Sequence, residues 1–465
     1  MNTAVAYKVN EHKTVAAYSF VPVQVDLRSA GAGKPWVPLY PRESMTFQQD
    51  FLAVLKACKR ERQMLGACQT GHASREGKRT KDVKLLRREY MRSRDCLIGN
   101  ILEASLRRRI SERLSFRQIL EASTRCQVLK DLPEPVEVFL KAKPDGGYRI
   151  IRNFGPIARG AQRMCAKLIE QTFNRQPLQF PGQGHVAKVQ KAIQLITTGG
   201  YTHVVEIDIV KHYDSFEKAA LSRCLPIPGA ALEHIVFAAS ATQVCPQDIT
   251  ILNDENAIIP PGLPQGGSAS GVIADWSVSH LKVALGPDLV LINHADNFFL
   301  FAKSAQALDA GRDALSCAIS QLPGGTFTSK VKAHGPCADG FKMLGYMIKV
   351  LDENVAVYQD PDRAFKFSRR FAKKKKFAWQ MFDKSAATSD DALRQLAVIQ
   401  LNVLRAMYAG WCDVQKISTT PIDPHGAEMS GQINQLKETF GVTDVELAKL
   451  SDPYERYCSF SFMSG

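Results

Sequence analysis

THVVEIDIVKHYDSF, residues 202–216, and DLVLINHADNFFLFAKS, residues 288–304, are the stretches that decide how this chain is read. In the first, Val204, Val205, Ile207 and Ile209 form an apolar strand that carries Asp208 in its middle. In the second, the apolar runs LVLI and FFLF flank His294-Ala295-Asp296-Asn297. That pattern predicts a β-hairpin with an acidic tip. A carboxylate inside an apolar strand is costly to bury unpaired, so it calls for a cation or a metal. Asp208 and Asp296 are far apart in sequence and can meet only through tertiary folding. The expectation is that they meet around divalent metal.

The rest of the composition is consistent with that chemistry. A chain of 465 residues exceeds one ordinary core and predicts roughly two to four subdomains. Apolar content of 45% and charged content of 23% are those of a soluble globular protein. No apolar run approaches the roughly 18 residues of a membrane span. The start, MNTAVAYKVNEHKT, lacks the apolar core of a secretory signal. The 11 cysteines are scattered without a C-x-x-C pair, which predicts reduced thiols and a cytoplasmic location. A net charge of +14 points to a polyanionic partner. Nucleic acid fits best, and no membrane partner is expected, because no amphipathic membrane helix or lipidation signal accompanies the charge.

Along the chain, the first 45 residues read as irregular, and helical spacing begins at Thr46. A break is expected at GACQTGHASREGK (66–78), followed by helical text through residue 123. Between Lys56 and Arg113, basic residues outnumber acidic ones more than two to one, enough charge for a phosphate-backbone track. From Glu134 the pattern changes. VEVFLKA and YRIIRNF flank Pro-Asp-Gly-Gly, a strong hairpin turn, with Lys141, Lys143, Arg149 and Arg152 on its arms. RGAQRMCAKLIEQTF predicts an amphipathic helix starting near Arg159, and GHVAKVQKAIQLITTGG a second one ending at Gly199-Gly200. After the first acidic strand, Asp214 or Ser215 is the expected cap of the next helix. PPGLPQGGSAS (260–270) forms a rigid loop that opens the apolar helix GVIADWSVSHLKVAL. Beyond the acidic hairpin come a helix, a lysine-bearing strand or loop (SKVK, 329–332), the strand GFKMLGYMIKV, and basic helical text from about residue 360.

In this order the segments resemble the reverse transcriptase family, specifically the bacterial enzymes of group II introns, retrons and phage defence. KPDGGYRII is similar to the family's fingers hairpin and RGAQRMCAKLIEQTF to the helix after it. VVEIDIVKHYDSF resembles the motif of the first metal aspartate, and GLPQGGSASG the family's GxPQGxxxS loop. HADN stands where the family has an aromatic residue, any residue and two aspartates. SKVK resembles the lysine loop, MLGYMI the hairpin that grips the primer, and GWCDV the thumb helix. The likeness covers about residues 135–415. It implies an α+β right-hand polymerase: a basic α-helical N-terminal extension (1–130), fingers (131–203), a palm with a helical insertion (204–350), and an α-helical thumb with a tail (351–465). It also implies template and primer as partners, with Arg159, Arg163, Lys332, Gly345, Lys373, Lys374, Lys375 and Lys376 as nucleic-acid contacts.

The residue types suit nucleotidyl transfer, which needs an activated 3′-hydroxyl, a neutralised triphosphate and a stabilised pyrophosphate. Two Mg²⁺ ions about 3.5–4 Å apart, held by carboxylates, supply this. By resemblance Asp208 and Asp296 are the ligands, with the Ile209 carbonyl and the Asn297 side chain beside them. The family places an aromatic ring at Tyr213 to collide with a ribose 2′-hydroxyl, which implies dNTP preference. Gln265 and Gly266 begin the loop that supports template and nucleotide. Lys143 and Arg149 are the expected triphosphate contacts. Lys330 is the expected proton donor to pyrophosphate, with Lys332 as its rival. Two departures stand out: His294 replaces the aromatic, and Asn297 replaces the second aspartate. Asn297 keeps an acceptor oxygen but loses a charge, which weakens metal binding and makes Mn²⁺ an alternative to Mg²⁺. Two functions therefore stay open, an active polymerase and a pseudo-polymerase that serves as a nucleic-acid-binding scaffold.

The stretch after Trp411 is too short for both a maturase region and an endonuclease, and no retron-like N-A-x-x-H or V-T-G signature is present. By elimination the chain resembles the stand-alone antiphage-defence or abortive-infection reverse transcriptases. That resemblance implies a structured noncoding RNA or a second protein as partner, or assembly as a homo-oligomer.

Overall fold

The computed structural model describes residues 44–73, 80–106, 108, 114–130, 132, 134–142, 148–173, 185–244, 262–351, 354–360, 365–373, 376, 401, 404–405, 407–409, 426–439 and 441–444. The architecture is mixed α/β. No described helix is long and apolar enough to cross a membrane, and none of the described cysteines is disulfide-bonded.

Four helices come first: α1 (Ser44–Ala73), α2 (Thr80–Arg92), α3 (Arg94–Leu106) and α4 (Phe116–Arg125). Of the break expected over 66–78, residues 66–73 are still helical and 74–78 lie outside the described residues. Helix α1 runs through Gly66, because a single glycine costs only about 1 kcal/mol in a long helix. α2 and α3 part at Ser93, whose Oγ accepts from the Cys96 N–H at 3.3 Å. α4 starts with a full capping box, Ser115 with Gln118.

β1 (Val136–Ala142) and β2 (Tyr148–Asn153) pair antiparallel, as the Pro-Asp-Gly-Gly signal predicts. The turn itself, with Lys143, lies outside the described residues. α5 (Pro156–Glu170) begins three residues before Arg159. Pro156 at its first position has no N–H to satisfy, and the Glu134 carboxylate accepts from the Ile157 and Ala158 N–H groups at 3.2 and 2.8 Å. Burial raises the Glu134 pKa, opposed by those two hydrogen bonds.

α5 packs directly on α3. Gly160 is the point of contact, since a Cβ there would lie 2.7 Å from Ile101 Cγ1. The helices of the N-terminal region share one apolar cluster with α5 and with the strands that carry the acidic residues.

α6 (His185–Thr197) leads through Gly200, at φ +68°, into β3 (His203–Ile209). The expected cap at Asp214 or Ser215 is not formed. The chain turns once more, Asp214 N–H to the Lys211 carbonyl at 2.8 Å, and α7 (Lys218–Cys224) starts four residues after Asp214, behind Glu217. Residues 226–244 hold only a short turn α8 (Gly229–Ala231), a π-helical turn (Leu232–Val236) and a two-residue strand β4 (Gln243–Val244). α9 (Ser270–Ser279) is shorter than the apolar text suggests.

The central sheet has the order β5-β6-β3-β7, all antiparallel, from β5 (Leu289–His294), β6 (Asn297–Ala302), β3 and β7 (Ser329–Pro336). α10 (Ala305–Ser320) is capped by Ser304 and lies on this sheet. Gly311 lets it approach, since a Cβ there would lie 2.8 Å from Leu289. The single strand expected over 340–350 is instead two, β8 (Phe341–Met343) and β9 (Tyr346–Leu351), joined by a tight turn at Leu344 and Gly345, both at positive φ. β10 (Asn354–Gln359) completes that small sheet. Residues 365–373 are helical, as is Gly426–Thr439, whereas the Gly410-Trp411 motif lies outside the described residues.

Candidate active site

The central sheet brings the two acidic stretches together. Asp208 pairs in register with Asn297 on β6 and with Lys330 on β7. The β5–β6 hairpin closes in two residues, Ala295 and Asp296, with Ala295 at φ +52°. Such a turn needs positive φ, and the buried Asn293 steadies it by donating to the Ala295 carbonyl at 3.0 Å. The turn then docks on β3, where the Ile209 N–H donates to the Asp296 carbonyl at 3.2 Å. Asp208, Ile209 and Asp296 are thus adjacent at the edge of the apolar core, both carboxylates partly open to solvent.

A lysine reaches this pair. Lys332 Nζ lies 3.2 Å from Asp208 Oδ1, 2.8 Å from Asn297 Oδ1 and 3.7 Å from Glu206 Oε1. The β3–β7 register shifts between Glu206 and Ile207, so Lys332 is the extra residue of a bulge. Lys332, rather than Lys330, touches the first aspartate, while Lys330 is exposed directly across the ladder from it. Asn297 accounts for the missing second aspartate: its Nδ2 donates to Asp296 Oδ1 at 3.1 Å while its Oδ1 accepts from Lys332. A carboxylate at this position could not donate. Desolvation raises the Asp208 pKa, Lys332 opposes the shift, and the charge of Asp296 adds to it. Glu206 is raised mainly by burial too.

His294 ties the hairpin to α6. Lys188 Nζ, buried, lies 3.1 Å from His294 Nδ1, and His185 Nε2 lies 2.9 Å from His294 Nε2. An ammonium only donates, so Nδ1 accepts, His294 is neutral, and its Nε2–H points to His185. Burial and then the charge of Lys188 lower the His294 pKa accordingly.

Sequence reasoning missed Asp275 on α9. Its carboxyl is raised to about 6 by desolvation, with Lys188 opposing and Asp296 and Glu170 adding to the shift. The residue as a whole is nevertheless exposed, unlike the buried Ala274 and Trp276 on either side of it. Its signal was an aspartate in an otherwise apolar helix.

The GLPQG loop closes another side. Gly266 sits at φ +107°, and a Cβ there would collide with the Arg152 carbonyl oxygen. The Arg152 N–H donates to the Gln265 carbonyl at 2.8 Å, so the loop continues the edge of β2. Gln162, fully buried, accepts from the Ser268 N–H at 2.7 Å and donates to the Ile235 carbonyl at 3.1 Å. Gly262 packs on the Tyr213 carbonyl, to which the Leu263 N–H donates at 2.8 Å. The Tyr213 hydroxyl would lie 3.8 Å from a Cβ on Gly271. Its pKa is raised by burial, then by the charges of Asp275 and Asp296.

Other expected contacts sit apart from this group. Arg149 is exposed opposite Lys141 on the β1–β2 arms. Arg163 is held by Glu103 at 2.6 Å, and Arg159 donates to the Phe154 carbonyl at 2.8 Å, so both guanidiniums serve the packing of α5. Gly345 accepts from the Asp360 N–H at 3.1 Å through its carbonyl. Lys373 and Lys376 are exposed; Lys374 and Lys375 lie outside the described residues.

Among the described residues no group of three or more His, Cys, Asp or Glu side chains is gathered as a metal cage. Two carboxylates and an amide oxygen are hard donors of the kind Mg²⁺ and Mn²⁺ take, and Mg²⁺ commonly completes its shell with water and substrate phosphate. The residues present therefore fit a divalent ion that is completed by substrate.

No family model matches the chain, and no curated protein does. Among solved structures it is similar to apo telomerase from Candida tropicalis truncated from the C-terminal domain, at 15% identity and a TM-score of 0.32 over 48% of this chain and 56% of that one. It is similar to apo telomerase from the same organism at 12% identity and a TM-score of 0.37, over 72% and 68% of the two chains. Telomerase from Candida albicans in complex with a TWJ fragment of telomeric RNA gives 11% and 0.33, over 70% and 65%. The chain spans little more than half the length of the first of these.

Proposed function

We propose that the chain is a reverse-transcriptase-type, RNA-directed DNA polymerase, adding dNTPs to a 3′-hydroxyl by two-metal nucleotidyl transfer. The observation that carries this reading is the docking of the Asp296 turn on β3, Ile209 N–H to Asp296 carbonyl, which sets two strand-borne carboxylates side by side. Bound Mg²⁺ or Mn²⁺ would supply charge neutralisation and activation of the hydroxyl. Asp208 and Asp296 would hold it, with the Ile209 carbonyl and Asn297 oxygen beside them. Tyr213 blocks the place of a 2′-hydroxyl, and the Gln265-Gly266 edge carries the nucleotide and template. Lys330 and Lys332 are the cations within reach of pyrophosphate; Lys332 already touches Asp208 and neutralises the pair.

The finer placement rests on the sequence resemblance alone: a cytoplasmic enzyme of bacterial antiviral defence, with a structured RNA, a second protein or further copies of itself as partner. The competing function is a scaffold that binds nucleic acid without chemistry, and Asn297 with its lost charge is what favours it. Primer extension with dNTPs in Mg²⁺ and in Mn²⁺ separates the two. Incorporation that Asp208→Ala abolishes supports the polymerase. Retained nucleic-acid binding without incorporation on any primer or template supports the scaffold.

A further inference from the structure

A cavity of about 420 Å³ lies between α2 and the turn that follows α7. Lys84, Arg87, Arg88 and Arg92 line one side, and Pro226 and Pro228 belong to the apolar side opposite. None of its described lining residues is acidic. The four cations recur at helical spacing along α2, so they share one face of that helix. Lys84, Arg88 and Arg92 are exposed, whereas Arg87 is buried at 6% and forms the base of the cluster. The like charges of the exposed Lys84, Arg88 and Arg92 on one face repel one another, and an anion at the cavity would relieve that repulsion. The volume falls in the range of roughly 300–1,000 Å³ typical of small-ligand and nucleotide sites. Neither α2 nor the 225–228 turn supplies a residue to the carboxylate pair.

From this geometry we infer a second nucleic-acid site, in which α2 holds the phosphates of a single strand and one unpaired base enters against the proline wall. A positively charged groove that tracks the phosphates is one part of how proteins bind single strands without reading sequence; here two prolines and aliphatic side chains stand where stacking aromatic rings usually do. A duplex offers phosphates to the cations, but its paired bases cannot enter the cavity. Because the site shares no residue with Asp208 or Asp296, it stands or falls separately from the polymerase.

The test uses the full chain and labelled 15-nucleotide oligonucleotides, read by fluorescence anisotropy over a salt series. Single-stranded RNA, single-stranded DNA and duplex arms distinguish the sources of the phosphate. Arg88→Gln/Arg92→Gln should weaken single-strand binding and reduce the salt slope by about 1.4, near 0.7 for each phosphate that is no longer neutralised. Arg88→Lys/Arg92→Lys should restore most of both. Photo-crosslinks from an iodouridine oligonucleotide should fall within residues 84–92 or 225–228. Asp208→Ala should leave this binding unchanged, even where it abolishes incorporation. Unaltered affinity and slope in the Gln variant, equal weakening for duplex and single strand, or crosslinks confined to other segments would each overturn the inference.

Discussion

Removing the Lys332 ammonium should make the acidic pair bind divalent metal more tightly. Its Nζ stands 3.2 Å from Asp208 and 2.8 Å from Asn297, on the oxygens a metal ion would use. At 3.2 Å the Coulomb energy of two unit charges is about 1 kcal/mol in bulk water and about 5 kcal/mol at an effective dielectric near 20. The lysine side chain is 37% exposed, which places the pair near the lower figure, about 1 kcal/mol. A metal ion must displace this contact, so Lys332→Met should tighten Mn²⁺ binding by about fivefold. Electron paramagnetic resonance titration of free Mn²⁺ measures that affinity without catalysis. The same variant should incorporate nucleotide more slowly, since it lacks a cation beside the leaving group. Unchanged or weaker Mn²⁺ affinity in Lys332→Met would show that the lysine does not occupy the metal's place.

Tyr213→Ala should admit ribonucleotides, seen as a rise in the NTP to dNTP ratio of kcat/KM; unchanged sugar selectivity would remove Tyr213 from the nucleotide's path. Gly266→Ala should cost about 1–3 kcal/mol in denaturant unfolding, because it combines φ +107° with a collision against the Arg152 carbonyl. His212 is 4% exposed, its Nε2 has no hydrogen-bond partner among the described residues, and burial pushes its pKa down to about 4. The unfolded chain binds that proton first, so stability is complete above pH 6.5 and falls by about 3 kcal/mol as pH drops to 4. His212→Phe should flatten this part of the stability profile, measured by urea midpoints between pH 4 and 7.

Much of the strand framework around the candidate site was legible because it is written in local patterns. Alternating apolar text around Asp208, the polar tip His294-Ala295-Asp296-Asn297 between two apolar runs and the Pro-Asp-Gly-Gly turn each fix a strand or hairpin by short-range rules. What was not legible depends on contacts between distant segments. The choice of Lys332 over Lys330 follows from a bulge opposite Glu206–Ile207, which no spacing within SKVK reveals. Asn297 reads in sequence only as a lost charge; its bridge between Asp296 and Lys332 needs three strands in place. Arg163, implied by resemblance as a nucleic-acid contact, is instead paired with Glu103, which α3 supplies. The Asp214 cap failed because the chain made one further turn at Lys211 before entering α7.

The central claim is that Asp208 and Asp296 together hold the metal for nucleotidyl transfer. Single-turnover dNTP incorporation by the wild-type chain, Asp208→Asn and Asp296→Asn tests it most directly, in Mg²⁺ and in Mn²⁺. Losing either carboxylate should lower the rate at least about a thousandfold, equivalent to about 4 kcal/mol of transition-state stabilisation. Wild-type incorporation with either variant remaining within tenfold of it would contradict the claim.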